Sequence, residues 1–259
     1  MEKSSLENIS KIILVYNHTA KNLMTDWKDI VFDKNKGNFD FVPMPDNSNN
    51  IPCVLVRKDD KYFESKSISY ISEDSCHFNV LEQMVIAFNK KCKGIRLTFL
   101  IVTKNNNKVG FINHNDFNKP SFALSLWQIV SFFESVLTNY LKSNVKCSII
   151  EEHVRKFPTY RNDKKNNVDI HPIYYMSLRS KLKMYEKDFK SLNDPLYIKG
   201  LSTANLKRFR NRIAHPGDKP KIIRQKRDIK DLFELLKSLD EWMTLPSISL
   251  LFNNRIINP

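Results

Sequence analysis

The chain has 259 residues, of which 41% are hydrophobic, and it carries a formal net charge of +14. This length and apolar content suffice for one large domain or two ordinary ones without disulfide or metal cross-links. The four cysteines show no CxxC pair and no histidine spacing typical of a metal site, so we expect neither a metal nor another cofactor.

No targeting or membrane segment is expected. Glu2 and Glu7 flank a short apolar run near the N-terminus, and no small-residue cleavage site follows it. No stretch reaches the roughly 20 apolar residues that a membrane span needs. With its unpaired cysteines, the chain is therefore predicted to be a reduced, cytoplasmic protein without a membrane partner.

The first half of the sequence predicts a small α/β domain over residues 1–117. A helix is expected over residues 5–31, followed by a loop rich in Asn, Asp, Pro and Gly up to residue 52. Apolar segments then predict two strands, a helix and two strands, in the order CVLVRK, YFESKSISYI, NVLEQMVIAFNKK, IRLTFLIV and VGFIN, with the turn signal KNNNK before VGFIN. This pattern leaves open whether the domain senses a signal or steers a substrate.

Residues 118–259 predict an all-α helical bundle, which makes the fold class α+β. A short helix is expected to start near Ser202 or Thr203, since both residues are suitable N-caps. Trp127, in an earlier helix, is expected to lie in the core. The polar run RNDKKNN, within residues 145–171, predicts a loop. The short helix is expected to bury Leu206, Phe209 and Ile213. Three longer apolar stripes have helical spacing: Phe122, Leu126, Val130, Phe133, Leu137 and Leu141; Tyr174, Leu178, Leu182, Tyr185, Phe189 and Leu192; Ile229, Leu232, Phe233, Leu236, Leu239 and Met243.

The positive charge is concentrated in the second half. Residues 1–117 carry 16 basic and 14 acidic side chains, whereas residues 118–259 carry 26 and 14. Within residues 199–230, eleven basic residues are opposed only by Asp218 and Asp228. Like charges on neighbouring helical turns repel by a few tenths of a kcal/mol each, so folding alone gives no reason for this cluster. An anionic partner is expected.

The densest part of the cluster, KRFRNRIAHPG, also carries groups that can cleave RNA. Pro216 and Gly217 end the helix, which presents His215 at a helix terminus. A guanidinium binds phosphate through a planar pair of donors, and histidine exchanges protons near neutral pH. Metal-free RNA cleavage needs a base for the 2′-hydroxyl proton and a cation for the charged transition state. Alternatively, His215 only caps the helix dipole.

Arg210, Asn211 and His215 lie in the hexapeptide RNRIAH, which resembles the R-N-x-x-x-H form of the Rx4–6H motif of the HEPN superfamily of helical-bundle ribonucleases. The order of helices over roughly 118–245 is similar as well. The resemblance implies a metal-independent endoribonuclease that cuts single-stranded RNA by 2′-hydroxyl attack. It further implies a homodimer, in which Arg210 and His215 of two protomers form one site.

The resemblance also implies a role in antiviral defence by abortive infection, or as a toxin held by an antitoxin or regulatory partner. HEPN toxins controlled by a nucleotidyltransferase tend to carry tyrosine where this chain has Gly217, so that form of control is not expected. A catalytically silent HEPN module that binds nucleic acid or protein is the alternative.

Glu134 is the fourth candidate at the site. Val130, Leu137 and Leu141 surround it on its helical face, so its carboxylate needs a partner. An acidic residue on this helix lies near the motif in many HEPN domains, which implies a pairing of Glu134 with Arg210. A purely structural ion pair is the alternative. The side chains assigned to the RNA backbone, unless they are only a solvated face, are Arg208, Arg212, Lys207, Lys219, Lys221 and Arg224.

Overall fold

The computed structural model describes residues 19–26, 41–44, 53–58, 61–65, 68–92, 95–96, 99–189, 203–214, 221–245 and 248. The α+β class predicted from the sequence is confirmed. The described residues fall into two compact units, one containing residues up to Ser125 and 221–233, the other containing residues 126–214 and 234–248. The sequence predicts a division at 117/118 instead. The observed boundary differs from the predicted one because the first residues of the long helix that follows residue 119 belong to the first unit.

The first unit is a mixture of strands and helices. In chain order its elements are α1 (Ala20–Leu23), β1 (Thr25–Asp26), β2 (Phe41–Met44), β3 (Cys53–Lys58), β4 (Lys61–Ser65), β5 (Tyr70–Ser72), α2 (His77–Asn89), β6 (Lys91–Cys92), β7 (Ile95–Arg96), β8 (Phe99–Lys104) and β9 (Asn107–Asn113). A 3₁₀ turn, His114–Asn118, follows β9.

The main sheet of this unit has the strand order β1-β9-β8-β5. β5 pairs with β8 in parallel, and the chain between them contains α2, whereas β8 and β9 pair antiparallel. Four successive residues of β8, from Phe99 to Val102, are buried, as expected for a strand covered on both faces. β2, β3 and β4 form a separate antiparallel sheet, and β6 pairs with β7.

A tight turn joins β8 to β9. Asn105 and Asn106 have φ angles of 48° and 65°, so both occupy the left-handed region that a type I′ turn requires. Asparagine tolerates this region better than most residues do. The turn predicted at KNNNK is therefore confirmed, with Lys104 paired to Asn107 across it.

Aromatic packing attaches the start of the long helix to the first unit. The ring of Phe122 lies 4.9 Å from that of Phe117 and 6.2 Å from that of Phe78, measured between centroids. Asn118 holds the segment after residue 221, because its side chain donates to the carbonyl of Ile223 at 2.9 Å and accepts from its N–H at 2.8 Å. The expected boundary at 117/118 would cut through the aromatic contacts of Phe122, because Phe78 and Phe117 lie on the other side of it.

Several expectations for the first half are wrong. Within the helix predicted over 5–31, α1 ends at Leu23 and β1 follows it. Residues 5–18 and 27–31 of that prediction do not belong to the described residues. The predicted loop contains β2, which is a strand because Phe41–Met44 pairs with β3. YFESKSISYI and IRLTFLIV each form two strands rather than one.

The second unit is helical. Its helices, two of which begin in the first unit, are α3 (Pro120–Asn144), α4 (Cys147–Val154), α5 (Pro158–Lys165), α6 (Leu178–Phe189), α7 (Thr203–Ala214) and α8 (Lys226–Met243). The predicted stripe of α3 is buried throughout, and that of α8 is buried except for the half-buried Phe233. In α7, Leu206, Phe209 and Ile213 are buried as predicted. Thr203 is the first residue of α7, and Ser202 lies outside the described residues.

Two predictions for this half are wrong. RNDKKNN is largely helical, since α5 extends to Lys165, starts with Pro158 at its first turn and buries Tyr160. Tyr174 belongs to a 3₁₀ turn, Pro172–Tyr175, and is 56% exposed instead of joining the buried stripe of α6. Leu192 lies outside the described residues.

The core of the second unit is built around Trp242. Its ring packs edge-on against Phe133 at 4.9 Å and lies 5.9 Å from the ring of Tyr185. The indole N–H donates to the Tyr185 hydroxyl at 2.9 Å, which satisfies a polar atom in a fully buried position. α3, α6 and α8 are thereby joined through three aromatic residues.

α3 satisfies the length and hydropathy criteria for a membrane span, with a mean hydropathy of 1.3 over its most apolar window. The expectation that no stretch of the chain would do so is therefore wrong. Half of that window is buried inside the protein, and Phe133 packs on Trp242. Burial of this kind is typical of the core helix of a folded domain.

Candidate functional site

α7 presents five of the ten sequence-predicted site residues. Its buried side faces inward, whereas Lys207 and Asn211 are exposed and stand one turn apart. Arg210 is half-buried, as is expected for an arginine next to the apolar stripe whose stem packs while its head reaches outward. The most exposed edge of the helix thus passes through Lys207 and Asn211.

Arg208 and Arg212 lie closer to the core than the sequence suggests. Both are half-buried, and their guanidinium carbons lie 4.7 Å and 5.6 Å from the centroid of the Phe209 ring. Contacts of this kind are cation–π interactions, which hold a guanidinium against an aromatic face. The exposed edge of α7 therefore does not include these two arginines, because both guanidinium groups lie against the Phe209 ring.

A basic hollow of about 360 Å³ lies beside α7. Three cationic residues line it: Lys207 and Arg210 from α7, and Arg179 from α6. Glu134 of α3 and Asn211 also reach its wall. Three of the four catalytic candidates, namely Glu134, Arg210 and Asn211, therefore meet at one cavity. A cavity with three cations and an amide can hold a phosphate group.

Glu134 pairs with a lysine of α6. Its Oε1 lies 3.0 Å from the Nζ of Lys181, which is 6% exposed. The expected partner, Arg210, lines two hollows together with Glu134, but an ion pair between Arg210 and Glu134 is not seen among the described residues. The pairing of Glu134 with Arg210 is therefore wrong, because α6 places Lys181 against the carboxylate instead.

A second hollow, of about 250 Å³, is also lined by Glu134 and Arg210. We call it the aromatic hollow, because Trp127 and Tyr174 line it and are 40% and 56% exposed. Assignment of Trp127 to the core is wrong for this reason. The other residues that line the aromatic hollow are mostly polar and come from one face of α3: Val130, Ser131, Ser135, Thr138 and Asn139.

The remaining predicted RNA contacts, Lys219, Lys221 and Arg224, follow α7 in the sequence. Lys221 and Arg224 are exposed and belong to the first unit. His215 and Lys219 lie outside the described residues, so the proposed base has no described geometry. The structure thus brings together Lys207, Arg210, Asn211 and Glu134 around one cavity.

Two histidines of the second unit have lowered pKa values. Burial lowers the pKa of His153, and the charges of Lys156 and Lys183 lower it further. Burial and the charge of Lys142 lower the pKa of His171. The neutral form of both is therefore favoured near neutral pH. Neither side chain lines the basic or the aromatic hollow.

Lys181, Arg179 and Tyr174 are the site residues that the sequence analysis missed. A signal existed for Lys181, which stands between Leu178 and Tyr185 on the apolar face of α6, where an unpaired charge is costly. No comparable signal marks Arg179 or the exposure of Tyr174, because both depend on how the 3₁₀ turn and α6 are placed.

No group of three or more His, Cys, Asp or Glu side chains within the described ranges is arranged to hold a metal ion. Comparisons with protein-family models, with curated proteins and with solved structures give no match for this chain. Its function is therefore inferred from its own residues and their geometry.

Proposed function

We propose that this chain is a metal-independent endoribonuclease of the HEPN type that cuts single-stranded RNA. The observation that carries the proposal is the basic hollow, where Arg210 of the RNRIAH motif meets Lys207, Asn211 and Arg179. The proposal would be contradicted if Arg210 were fully buried or paired with a carboxylate. Arg210 is instead half-buried and lines an open cavity, and Glu134 pairs with Lys181.

In this proposal Arg210 binds the phosphate at the cut and stabilises the charge of the transition state. His215 takes the proton from the 2′-hydroxyl and later returns one to the leaving oxygen. Asn211, exposed one turn from Lys207, donates to a phosphate or ribose oxygen. DNA lacks the attacking hydroxyl and is spared.

A homodimer completes the proposed site. The resemblance to HEPN ribonucleases implies that one copy of Arg210 and His215 is not sufficient and that two copies of each form one site. Two protomers related by a twofold axis bring two copies of each residue to a shared cleft. We further propose a cytoplasmic role in antiviral defence by abortive infection, with residues 1–117 sensing a trigger or steering substrate.

Two other functions are kept as candidates. The first is a catalytically silent module that binds RNA or a protein, which the exposed aromatic residues beside Arg210 also favour. The second is a toxin that an antitoxin holds inactive. Growth arrest on expression of the chain alone, abolished by Arg210→Ala, would favour the toxin over the silent module.

The test of the proposed function is cleavage of single-stranded RNA in the presence of EDTA. Wild type is expected to cut and to leave 2′,3′-cyclic phosphate ends. Arg210→Ala and His215→Ala are each expected to lower the rate about 100-fold or more, which is typical for loss of a transition-state donor or of a general base. Arg155→Ala is the matched control, since Arg155 is an exposed arginine of the same unit and lines neither the basic nor the aromatic hollow.

Mixing the two inactive variants tests the shared site. Reassociated protomers of Arg210→Ala and His215→Ala place one intact arginine and one intact histidine in the same cleft, so the mixture is expected to recover activity that neither variant has alone. Cleavage that requires magnesium, or equal rates in wild type and both variants, would overturn the proposal. RNA binding without any cleavage by wild type would favour the silent module.

A further inference from the structure

We propose that the aromatic hollow binds one unpaired base of the RNA strand whose phosphate lies at Arg210. The inference rests on the proposed ribonuclease function and adds the part of the substrate that the site recognises. Arg210 lines both the basic and the aromatic hollow. A nucleotide with its phosphate at Arg210 therefore has its base within reach of the aromatic hollow.

The two aromatic walls carry the inference. Trp127 and Tyr174 are 40% and 56% exposed, whereas the large rings of the core, such as Phe133 and Trp242, are at most 1% exposed. Leaving such rings in water forgoes roughly 25 cal/mol for each Å² of apolar surface. Proteins that bind single strands use exposed aromatic side chains in this way, because every base has a flat face on which a ring can stack.

The polar wall of the hollow suits the edge of a base. Ser131, Ser135 and Asn139 stand four residues apart along α3 and so share one face of the helix. Hydroxyl and amide groups both donate and accept hydrogen bonds, as the edges of nucleobases do. Stacking on the rings and hydrogen bonds from this face would act on the same base.

The size and charge of the hollow favour a single base over other ligands. Pockets for drug-sized ligands measure roughly 300–1,000 Å³. At about 250 Å³ the aromatic hollow has room for one ring system rather than a whole cofactor. The Nζ of Lys142 lies 5.8 Å from the centroid of the Tyr174 ring, and Arg210 lines the hollow. Two cationic side chains are therefore placed at this hollow, Lys142 beside Tyr174 and Arg210 in the wall. A strand of phosphates matches these charges better than a neutral peptide does.

Binding can be measured apart from cleavage with a 2′-O-methyl RNA oligonucleotide, which lacks the attacking hydroxyl. The full chain is titrated with this oligonucleotide and with versions that carry one abasic position, moved along the strand. Wild type is expected to bind the best-placed abasic version about tenfold more weakly, the usual size of one stacked base. Trp127→Ala is expected to weaken binding of the intact oligonucleotide by a similar factor and to make it insensitive to the abasic position.

Two further variants show whether the ring itself matters. Trp127→Phe keeps an aromatic face and is expected to retain most of the affinity. Tyr70→Ala removes a tyrosine of the first unit that is 47% exposed, and it is expected to bind like wild type. Circular dichroism of each variant checks that it is folded. Wild-type binding that ignores abasic positions, or a Trp127→Ala variant that remains as sensitive to them as wild type, would overturn the base site.

The outcomes separate this inference from the proposed function. If the chain binds the oligonucleotide in a base-dependent manner but cuts no RNA, the ribonuclease proposal fails and the base site stands. If the chain cuts RNA while its binding ignores abasic positions, the base site fails and the ribonuclease stands. No binding of the oligonucleotide at all overturns the base site and leaves a protein or peptide as the occupant.

Discussion

The Nζ of Lys181 lies 3.0 Å from the Oε1 of Glu134, and the two side chains are 6% and 30% exposed. Glu134 lines both hollows that Arg210 lines. Because Lys181 supplies the countercharge of Glu134, Arg210 is not needed as the counterion of that carboxylate. In the proposed function, Lys181 affects phosphate binding through Glu134 and Arg210, because it lines neither hollow itself.

Replacing Lys181 with methionine is expected to destabilise the protein. Removal of one partner from a buried pair leaves an uncompensated charge, which costs about 3–5 kcal/mol when both partners are fully buried. Since Glu134 is partly exposed, we expect a loss of about 1–3 kcal/mol in the free energy of unfolding, measured by urea denaturation. The double variant Lys181→Met, Glu134→Gln should regain most of this loss. Equal stability of the single and double variants would contradict the pairing.

Lys207 is expected to contribute one phosphate contact. The affinity for single-stranded RNA falls with salt concentration, with a slope of about −0.7 on logarithmic axes for each phosphate that is neutralised. Lys207→Ala should therefore weaken binding and reduce the slope by about 0.7, as measured by titrations at several salt concentrations. Lys146→Ala is the control, since Lys146 is also exposed in the second unit and lines neither hollow. Equal effects of both variants would argue against a localised contact.

Gly110→Ala is expected to disturb the pairing of β1 with β9. A Cβ atom at this position would lie 2.6 Å from the backbone carbonyl oxygen of Thr25 and 3.1 Å from the sulfur of Met24. The backbone oxygen cannot move without displacing β1, so we expect a loss of about 1–3 kcal/mol in thermal or urea unfolding. Asn107→Ala, at an exposed position of β9, should change stability by less than about 0.5 kcal/mol. A tolerated alanine at 110 would show that β1 is free to shift.

Tyr175 is expected to titrate late. Its hydroxyl donates to the carboxylate of Asp163 at 2.7 Å, and this hydrogen bond, with burial as the second cause, raises the pKa of Tyr175 to about 12. Because the folded value exceeds the ordinary value of about 10, the hydroxyl contributes stability below pH 10, and that contribution is lost as the pH rises to about 12.

The ultraviolet absorbance of tyrosinate follows this titration. Subtracting the curve of Tyr175→Phe from that of wild type isolates the contribution of Tyr175. Asp163→Asn removes the carboxylate and should move the step back toward its usual pH. A step at the same pH in wild type and Asp163→Asn would show that the carboxylate is not the cause.

Local signals in the sequence predicted the elements that depend on neighbouring residues. The paired asparagines of the β8–β9 turn and the apolar spacing of α3, α7 and α8 are such signals, and the structure contains all of them. They succeed because a turn type or an amphipathic helix is specified within a few residues.

Elements held by distant contacts were missed. α5 is polar along its sequence, yet Tyr160 donates to Glu151 at 2.5 Å and Tyr175 donates to Asp163, so partners outside the helix hold both of its ends. Likewise, Lys181 lies 47 residues from Glu134, and its place on the apolar face of α6 indicates that it needs a partner but does not identify Glu134 as that partner. Charge pairing across a bundle depends on how the helices pack, which the helical period does not specify.

Trp127 and Trp242 give the protein two fluorophores in opposite surroundings. Trp242 is fully buried among aromatic rings, whereas Trp127 is 40% exposed at the wall of the aromatic hollow. The third tryptophan, Trp27, is removed by the substitution Trp27→Phe. In that variant a water-soluble quencher such as iodide would reach Trp127 before Trp242, and a ligand in the aromatic hollow would protect Trp127 from the quencher. The molecule thus carries its own optical reporter of occupancy, and Trp242 serves as the internal reference.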